Sequence, residues 1–525
     1  MQYRVLGRSV EVTERGRQVA LSPQVATVLA ILLLAAVQPS GRKDVSRERL
    51  TEALWGPADT EDRTTALANV VSRLRKAIGR SRVVTTDVGW RLEHDESFDY
   101  IDLLVFRREV EVADEMVNGD PECAVILYDH ALGLWSDASL SGLGESPALE
   151  PVVEALRGER LSALETWCET MLALGRNSEL VRRMPLVLAA DPLNEHLRGL
   201  YMLALARSGR RARAVAEYDA AERVLRADIG AEPGRALRRL RQQILQDDPV
   251  IAWDPPPVRA GDQEVLARGA NPAAYSFARL LDYAEGGVWN LPIDRAVANI
   301  VMALAPAMRY VHAQSVDFCR RAVRVVVKEG IDQLIEIATG LVVGNPMHRV
   351  ARTVAPGVRV VYSAWEHSAP LDDGDLTDSV TGVVHADIRE PRRLLEAPET
   401  RRLIDFTRPV AVLIRHVINF LGPDDDPYEM LEELVSGLPP GSYLILQVAT
   451  HHDLTDVVEQ QIAEQRRFQS HEAPLTLWSR AEVARMFCGL PLVEPGLVEC
   501  KDWRPDRADR KPTPMRTIGG VARKG

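Results

Sequence analysis

Three consecutive prolines, Pro255-Pro256-Pro257, separate two stretches of this sequence whose hydrophobic patterns cannot share one architecture. A proline run favours an extended, semi-rigid spacer. Before it, residues 99–247 repeat apolar positions at three- and four-residue spacings. That pattern predicts helices at 103–118, 121–132, 151–174, 178–191, 195–208, 210–229 and 234–245, with short connections that pair neighbours. After it, candidate strands at 334–339, 359–363, 381–386, 410–417, 442–448 and 492–499 alternate with helices. Such alternation implies a parallel sheet covered on both faces.

The first 95 residues carry a third pattern. Tyr3-Arg4-Val5-Leu6 and Val10-Glu11-Val12 read as strands, with a turn at Gly16 before Val19-Ala20-Leu21. Ser22 is placed to cap a helix that has Pro23 in its first turn and runs to about Ala36. A second helix covers 46–55, with Ser46 as cap and Leu50 and Leu54 turned inward. In the next helix, 63–78, Leu67, Val70, Val71, Leu74 and Ile78 share one face. The opposite face carries Asn69, Arg73 and Lys76, with Thr65, Ser72 and Arg75 beside it. Gly79 stops this helix, and Val83–Thr86 and Trp90–Leu92 flank a glycine turn as a two-stranded ribbon.

A basic helix followed by a ribbon is the outline of a winged helix, in which the helix enters a major groove and the ribbon follows the phosphates. A solvated basic helix beside an ordinary hairpin fits the same residues equally well. Under the DNA reading, Arg73 and Lys76, one turn apart, meet phosphate or guanine edges, and Asn69 reads a base edge. Arg63 and Thr64 stand at the helix N-terminus, where backbone N–H groups favour phosphate. Arg91 reaches a phosphate or a minor groove from the ribbon.

Composition narrows the rest. A length of 525 residues suggests about three domains at roughly 150 residues each. The net charge of −11 argues against a protein coated in nucleic acid, though a local basic patch remains compatible with it. No uncharged apolar run reaches the length of about 18 residues that a membrane helix needs, and no secretory pattern opens the chain. The five cysteines are scattered and fit a reducing cytoplasm. His451-His452-Asp453 lacks a third spaced ligand set, and Asp424-Asp425-Asp426 before Pro427 reads as a helix cap. Neither a metal site nor a catalytic set is expected.

Particular residues then resemble known families. Arg4-Val5-Leu6-Gly7, Leu50-Thr51-Glu52-Ala53-Leu54-Trp55, Val71-Ser72-Arg73-Leu74-Arg75-Lys76 and Gly89-Trp90-Arg91-Leu92 resemble the Streptomyces antibiotic regulatory protein activators, which usually have tyrosine where Trp90 stands. Asp191-Pro192-Leu193-Asn194-Glu195, Ala204 to Arg210, Ala214-Val215-Ala216-Glu217-Tyr218 and Ile229 to Gly234 resemble the tetratricopeptide-like bacterial transcriptional activator domain that follows the winged helix in that family. Together they imply an activator of antibiotic biosynthesis genes. It would bind promoter direct repeats in double-stranded DNA as a dimer, and contact RNA polymerase and its sigma factor.

Beyond the prolines, Arg279-Leu280-Leu281-Asp282-Tyr283, Arg320 to Arg324, Ala386 to Pro391, Pro439 to Tyr443 and Val493 to Leu497 resemble an actinobacterial S-adenosylmethionine-dependent methyltransferase family. The resemblance runs from about Asn271 to Asp506 and implies a Rossmann-like sheet. It places cofactor or ligand contacts at Gly286, Gly287, Asn290, Glu336, Ala338, Gly340, Glu366, Asp387, Ile388 and Asn419. The sequence departs from the family where the cofactor would sit. Glu336 and Ala338 stand in the first-strand turn where the family has Asp and Gly. Ala364 replaces the acid that holds the ribose, with Glu366 two residues on, and Asn419 replaces a histidine. These changes favour a degenerate pocket that senses another small molecule, or a purely structural module, with S-adenosylmethionine or another small ligand as the candidate occupant. The alternative is an active methyltransferase with a regulatory DNA-binding segment. The expected organisation is multidomain α and α/β: a winged helix over 1–95, a helical domain over 96–247, a linker over 248–270 and a methyltransferase-like domain over 271–525.

Overall fold

A strand platform opens the chain. In a computed structural model, which describes residues 1–38, 43–56, 63–96, 98–136, 149–267, 269–338, 346–364, 379–450, 458–460, 462–463, 467, 475–507, 513 and 515–525, β1 (Gln2–Arg4) pairs antiparallel with β2 (Glu11–Glu14). β2 turns through Arg15-Gly16, both at positive φ, into β3 (Arg17–Gln18). α1 (Pro23–Ala36) follows. Ser22 has the extended backbone of a cap, but its side chain makes no capping bond, so the expected cap is absent and Pro23 marks the helix start. β4 (Val45–Ser46) leads into α2 (Arg47–Trp55), which Ser46 does cap, accepting from the Arg49 N–H at 3.2 Å.

α3 (Thr64–Ile78) buries Leu67, Val70, Val71, Leu74 and Ile78, the face its spacing predicts. β5 (Val83–Thr85) and β6 (Gly89–Leu92) form the ribbon, and β4, unforeseen in the sequence, adds a third strand to β6. Gly89 is needed there because a Cβ would lie 2.1 Å from the Val45 carbonyl oxygen. β7 (Tyr100–Ile101) then pairs parallel with β1 and runs directly into α4 (Asp102–Met116). The buried Asp102 carboxylate accepts N–H bonds from Val5, Leu6 and Leu103 at 2.8–3.0 Å, fastening the platform to the helix.

The helical array continues with α5 (Pro121–Gly133), α6 (Glu150–Ala173), α7 (Asn177–Ala190), α8 (Glu195–Arg207), α9 (Arg211–Ile229) and α10 (Arg235–Gln246). Sequence neighbours pack on one another throughout, and one core runs from β1 to α10. The proline spacer is held against this array. Arg207 donates to the Ile251 carbonyl at 2.8 Å, and the Trp253 indole N–H donates to the Ala173 carbonyl at 2.8 Å. The Trp253 ring covers Gly175, where a Cβ would lie 2.4 Å from it. α11 (Ala260–Ala267) occupies the end of the expected linker.

α12 (Phe277–Ala284), α13 (Pro292–Leu304) and α14 (Met308–Lys328) precede the large sheet. Nearly every residue of α13 is buried, as befits a helix enclosed on all sides. Ala296, Ile300, Ala303 and Leu304 join the core of the array, while Val297, Ala298 and Val301 pack with Leu280 and Leu291.

The sheet combines β8 (Gln333–Ala338), β9 (Arg359–Ala364), β10 (Thr381–His385), β11 (Ala411–Arg415), β12 (Tyr443–Thr450), β13 (Val498–Glu499) and β14 (Arg516–Arg523), in the order β10-β9-β8-β11-β12-β14-β13. The first five are parallel, and β14 inserts antiparallel between β12 and β13. α14 and α15 (Met347–Arg352) cover one face. The other is covered by α16 (Pro391–Glu396), α17 (Pro398–Leu403), α18 (Pro427–Ser436) and α19 (Arg480–Arg485).

Two expectations change here. The strand expected over 492–499 shrinks to β13, with Leu492 joined to Ala522 by a single bridge. The eight-residue β14 was missed because Gly519-Gly520 interrupts its apolar run. Those glycines admit the covering layers: a Cβ would lie 2.5 Å from the Phe318 ring at Gly519 and 2.8 Å from Phe487 at Gly520. No described helix is long and apolar enough to cross a membrane.

Candidate nucleic-acid interface and sheet-end crevice

α3 is amphipathic, so burying one face in the first core leaves the other outside. Thr64, Thr65, Asn69, Ser72, Arg73 and Lys76 are exposed. Arg73 bonds Gln24 at 3.5 Å. The first turn of α3 carries no acidic residue. Three predicted contact residues are engaged differently from the expectation. Arg63 donates to the Trp55 carbonyl at 2.9 Å and lies over the Trp55 ring, so it ties α3 to α2. Arg75 donates to the Val83 carbonyl at 2.9 Å and to Thr85 Oγ1 at 2.7 Å, locking helix to ribbon. Arg91 pairs with Glu93 at 2.7 Å and Asp44 at 3.4 Å. Sequence reasoning missed both acids, although Arg91 and Glu93 are only two residues apart.

In the large sheet the strand order reverses between β8 and β11, and the crevice beyond their C-terminal ends is where open parallel sheets take ligands. Glu336 lies within β8, opposite Tyr362 and Leu413, not in the turn after it. It is buried 3.5 Å from Arg415. Burial raises its pKa, against the pull of Arg415. Ala338 ends the strand in register with Ala364. Gly340, Glu366 and His451-His452-Asp453 lie outside the described residues.

At Asp387, burial acts to raise the pKa, but Arg389, with bonds of 2.6 and 2.9 Å, holds the carboxyl below its usual range. Ile388 is buried in the core on that side. The Asn419 side chain makes three bonds among the described residues. Its Nδ2 donates to the Ala449 and Thr476 carbonyls at 2.9 and 2.8 Å, and its Oδ1 accepts from the Ala449 N–H at 2.9 Å.

The Gly286–Asn290 segment folds back on Asp282 instead of facing the crevice. The Asp282 carboxylate accepts from the Trp289 N–H at 2.8 Å and from Asn290 Nδ2 at 2.6 Å. A Cβ at Gly287 would lie 1.9 Å from Asp282 Oδ1, and Gly286 sits at φ +84°. Burial pushes Asp282 up to about 6. The neighbouring Arg279 serves the same architecture, bonding Asp294 at 2.7 Å inside the domain.

Among the described residues, Asp387 and Asn419 therefore hold partners that S-adenosylmethionine would have to displace. The carboxylate suited to adenine is paired with the half-exposed Arg389, and both amide hydrogens of Asn419 beyond β11 are taken by backbone carbonyls. Calorimetric titration of the full chain with the cofactor is expected to give no saturable heat at micromolar protein. A micromolar isotherm would show that Asp387 exchanges Arg389 for the ligand. Asp426 caps α18 through the Glu429 N–H, as expected, and no metal-holding cluster occurs among the described residues.

Comparison with known proteins bears on both halves. Residues 101–245 match the bacterial transcriptional activator domain, and residues 269–525 match the S-adenosyl methyltransferase family. The second match extends past the sequence expectation, through β14. The chain is similar to the regulatory protein AfsR of Streptomyces coelicolor, 34% identical over 232 residues that cover 44% of this chain and 23% of AfsR. It is also similar to the transcriptional regulator RedD of the same organism, 29% identical over 227 residues, 42% of this chain and 64% of RedD. It thus spans about a quarter of AfsR and under two thirds of RedD. Among solved structures, a DUF574 family protein from Streptomyces avermitilis is 32% identical with a TM-score of 0.45, covering 48% of this chain and 98% of that one.

Proposed function

Because this chain joins a bacterial transcriptional activator domain of the Streptomyces antibiotic regulatory type to an S-adenosyl methyltransferase domain, we propose that it is a sequence-specific DNA-binding activator of a secondary-metabolite gene cluster. The observation that carries the reading is the exposed face of α3. Asn69, Ser72, Arg73 and Lys76 project from one side of a helix whose other side is core, with Thr64 and Thr65 at its start. Arg75 and Arg63 hold that helix in place against ribbon and neighbour, and Arg91, paired with Asp44 and Glu93, stands on the ribbon. Two copies on promoter direct repeats would present two such helices, and the helical array would meet RNA polymerase and its sigma factor. The C-terminal domain would modulate this through a small ligand. The alternative reading, an active methyltransferase, finds Asp387 and Asn419 already occupied.

The test is footprinting and fluorescence anisotropy on promoter DNA of neighbouring genes. Arg73→Ala and Lys76→Ala should each weaken binding and flatten the slope of log affinity against log salt by about one phosphate's worth. Asn69→Ala should relax preference at one base pair with little change in slope. No protection at saturating protein and low salt would sink the proposal.

A further inference from the structure

A cavity of about 120 Å³ lies between α12, α13 and the first half of α14, over the C-terminal ends of β11 and β12. Its wall is mostly apolar, with Phe277, Leu281, Val301, Met302 and Phe420 among the lining residues. Two histidines interrupt that wall. His312 and His416 stack at 5.7 Å, and Phe277 lies edge-on to His416 and 4.6 Å from Phe420. His312 Nε2 is bonded to Glu285 at 2.9 Å. His416 Nε2 is buried and has no hydrogen-bond partner among the described residues. Such an orphan costs about as much as a lost hydrogen bond and calls for an explanation. The residue also sits at φ +64°, a left-handed conformation that side chains other than glycine's seldom take, and such strain gathers at ligand sites. Burial, with His312 and Arg415 adding to it, keeps the ring well below its ordinary pKa and so neutral.

We propose that this cavity, which reaches Asn419 at the sheet end but not Asp387, is the ligand site, and that it takes a neutral one-ring aromatic alcohol whose hydroxyl donates to His416 Nε2. The inference rests on the reading that the C-terminal domain senses a small ligand. Size sets the single ring, since an apolar cavity of about 150 Å³ takes up benzene. The aromatic lining suits a ring's faces and edges. Charge is excluded by the cost of burying it unpaired: the lining cation Arg309 is exposed at the rim, its Nε against the Met302 sulfur. Ser315 and Thr517 bond one another at 3.1 Å, His312 is paired with Glu285 and Asn419 with backbone groups, so His416 is the lining acceptor left without a partner among the described residues.

The same wall leads to the DNA-binding half. Ala298, Val301 and Met302 line the cavity from α13, whose Ala296, Ile300, Ala303 and Leu304 belong to the core of the array. Arg108 of α4 donates to the Ala303 carbonyl at 3.0 Å. α4 begins at Asp102, which holds Val5 and Leu6 of the platform. Filling the cavity biases the position of α13 and, through α4, that of α3.

The experiment uses the full chain, with phenol, toluene and benzoate as probes in saturation-transfer NMR and anisotropy on the footprinted promoter fragment. Phenol should bind saturably and more tightly than toluene, and benzoate should not compete. Promoter affinity should change by about fivefold or more with phenol. Ala298→Leu, which fills the cavity, should abolish both effects. Phenol and toluene binding alike, or phenol failing to saturate, overturns the site. Phenol binding without any change in promoter affinity overturns the α13 coupling and the sensing reading with it. A promoter shift driven by S-adenosylmethionine, with phenol inert, overturns this site while sparing that reading.

Discussion

Replacing Arg295 with methionine is expected to lower stability by about 3–5 kcal/mol, the usual cost of removing one partner of a buried ion pair. The guanidinium is 3% exposed and bonds three elements at once. It bonds Asp120 at the start of α5, Asp262 of α11 at 3.0 and 3.1 Å, and the carbonyl and side-chain oxygens of Asn290 at 2.6 and 3.0 Å. Methionine keeps much of the volume but leaves two buried carboxylates near each other. Asp120 retains Arg259 at 3.3 Å, whereas Asp262 loses both of its bonds to Arg295. Because these residues join the helical array to the last domain, the change should also split the unfolding. Denaturant titration should show two transitions where the parent shows closely coupled ones. Adding Asp262→Asn removes one uncompensated charge and should restore part of the loss. A parental midpoint in the single variant would mean that the network contributes nothing to holding the halves together.

That network marks where sequence reasoning reached its limit. The helices of the array and five parallel strands were legible because their apolar residues repeat at fixed spacing, and spacing survives in one dimension. α3 was legible for the same reason, down to its five buried residues. β14 was not, since Gly519-Gly520 are there to admit Phe318 and Phe487, and nothing in their neighbourhood in sequence announces those rings. The roles of the arginines were half legible. Charge on an outward face is visible in sequence, but whether Arg63, Arg75 and Arg91 meet DNA or carbonyls and acids 2 to 47 residues away depends on the folded chain.

At the crevice, residues named from family resemblance are engaged by the fold itself. Asp387 and Asn419 stand where family resemblance puts them, but their bonds are filled by Arg389 and by the β12 backbone. Gly286, Gly287 and Asn290 proved to be the fold-back around Asp282. His416 follows a strand with no neighbouring motif, and only its orphaned nitrogen, its backbone and its neighbours single it out.

The second large effect is expected at Asp102, where platform and array meet. Asp102→Ala leaves the N–H groups of Val5, Leu6 and Leu103 buried without that acceptor, at about 1–3 kcal/mol each. Since Val5 and Leu6 belong to the winged-helix platform, the loss should concentrate there. Hydrogen exchange should rise across residues 1–95 and promoter affinity should fall, while the large sheet stays protected. The same residue dictates a pH dependence. Burial pushes its carboxyl from 3.8 up to about 6, with the three N–H groups pulling the other way. Between those values the folded chain holds a proton that the unfolded chain has lost. This group's contribution is therefore full below pH 3.8, and stability falls as pH rises through about 6. Asp102→Asn cannot titrate, so the difference in unfolding free energy between it and the parent should narrow steadily from pH 4 to pH 6 and stay level above that. A constant difference across the whole range would place the Asp102 pKa near its unfolded value. The three N–H bonds would then balance the cost of burying the charge.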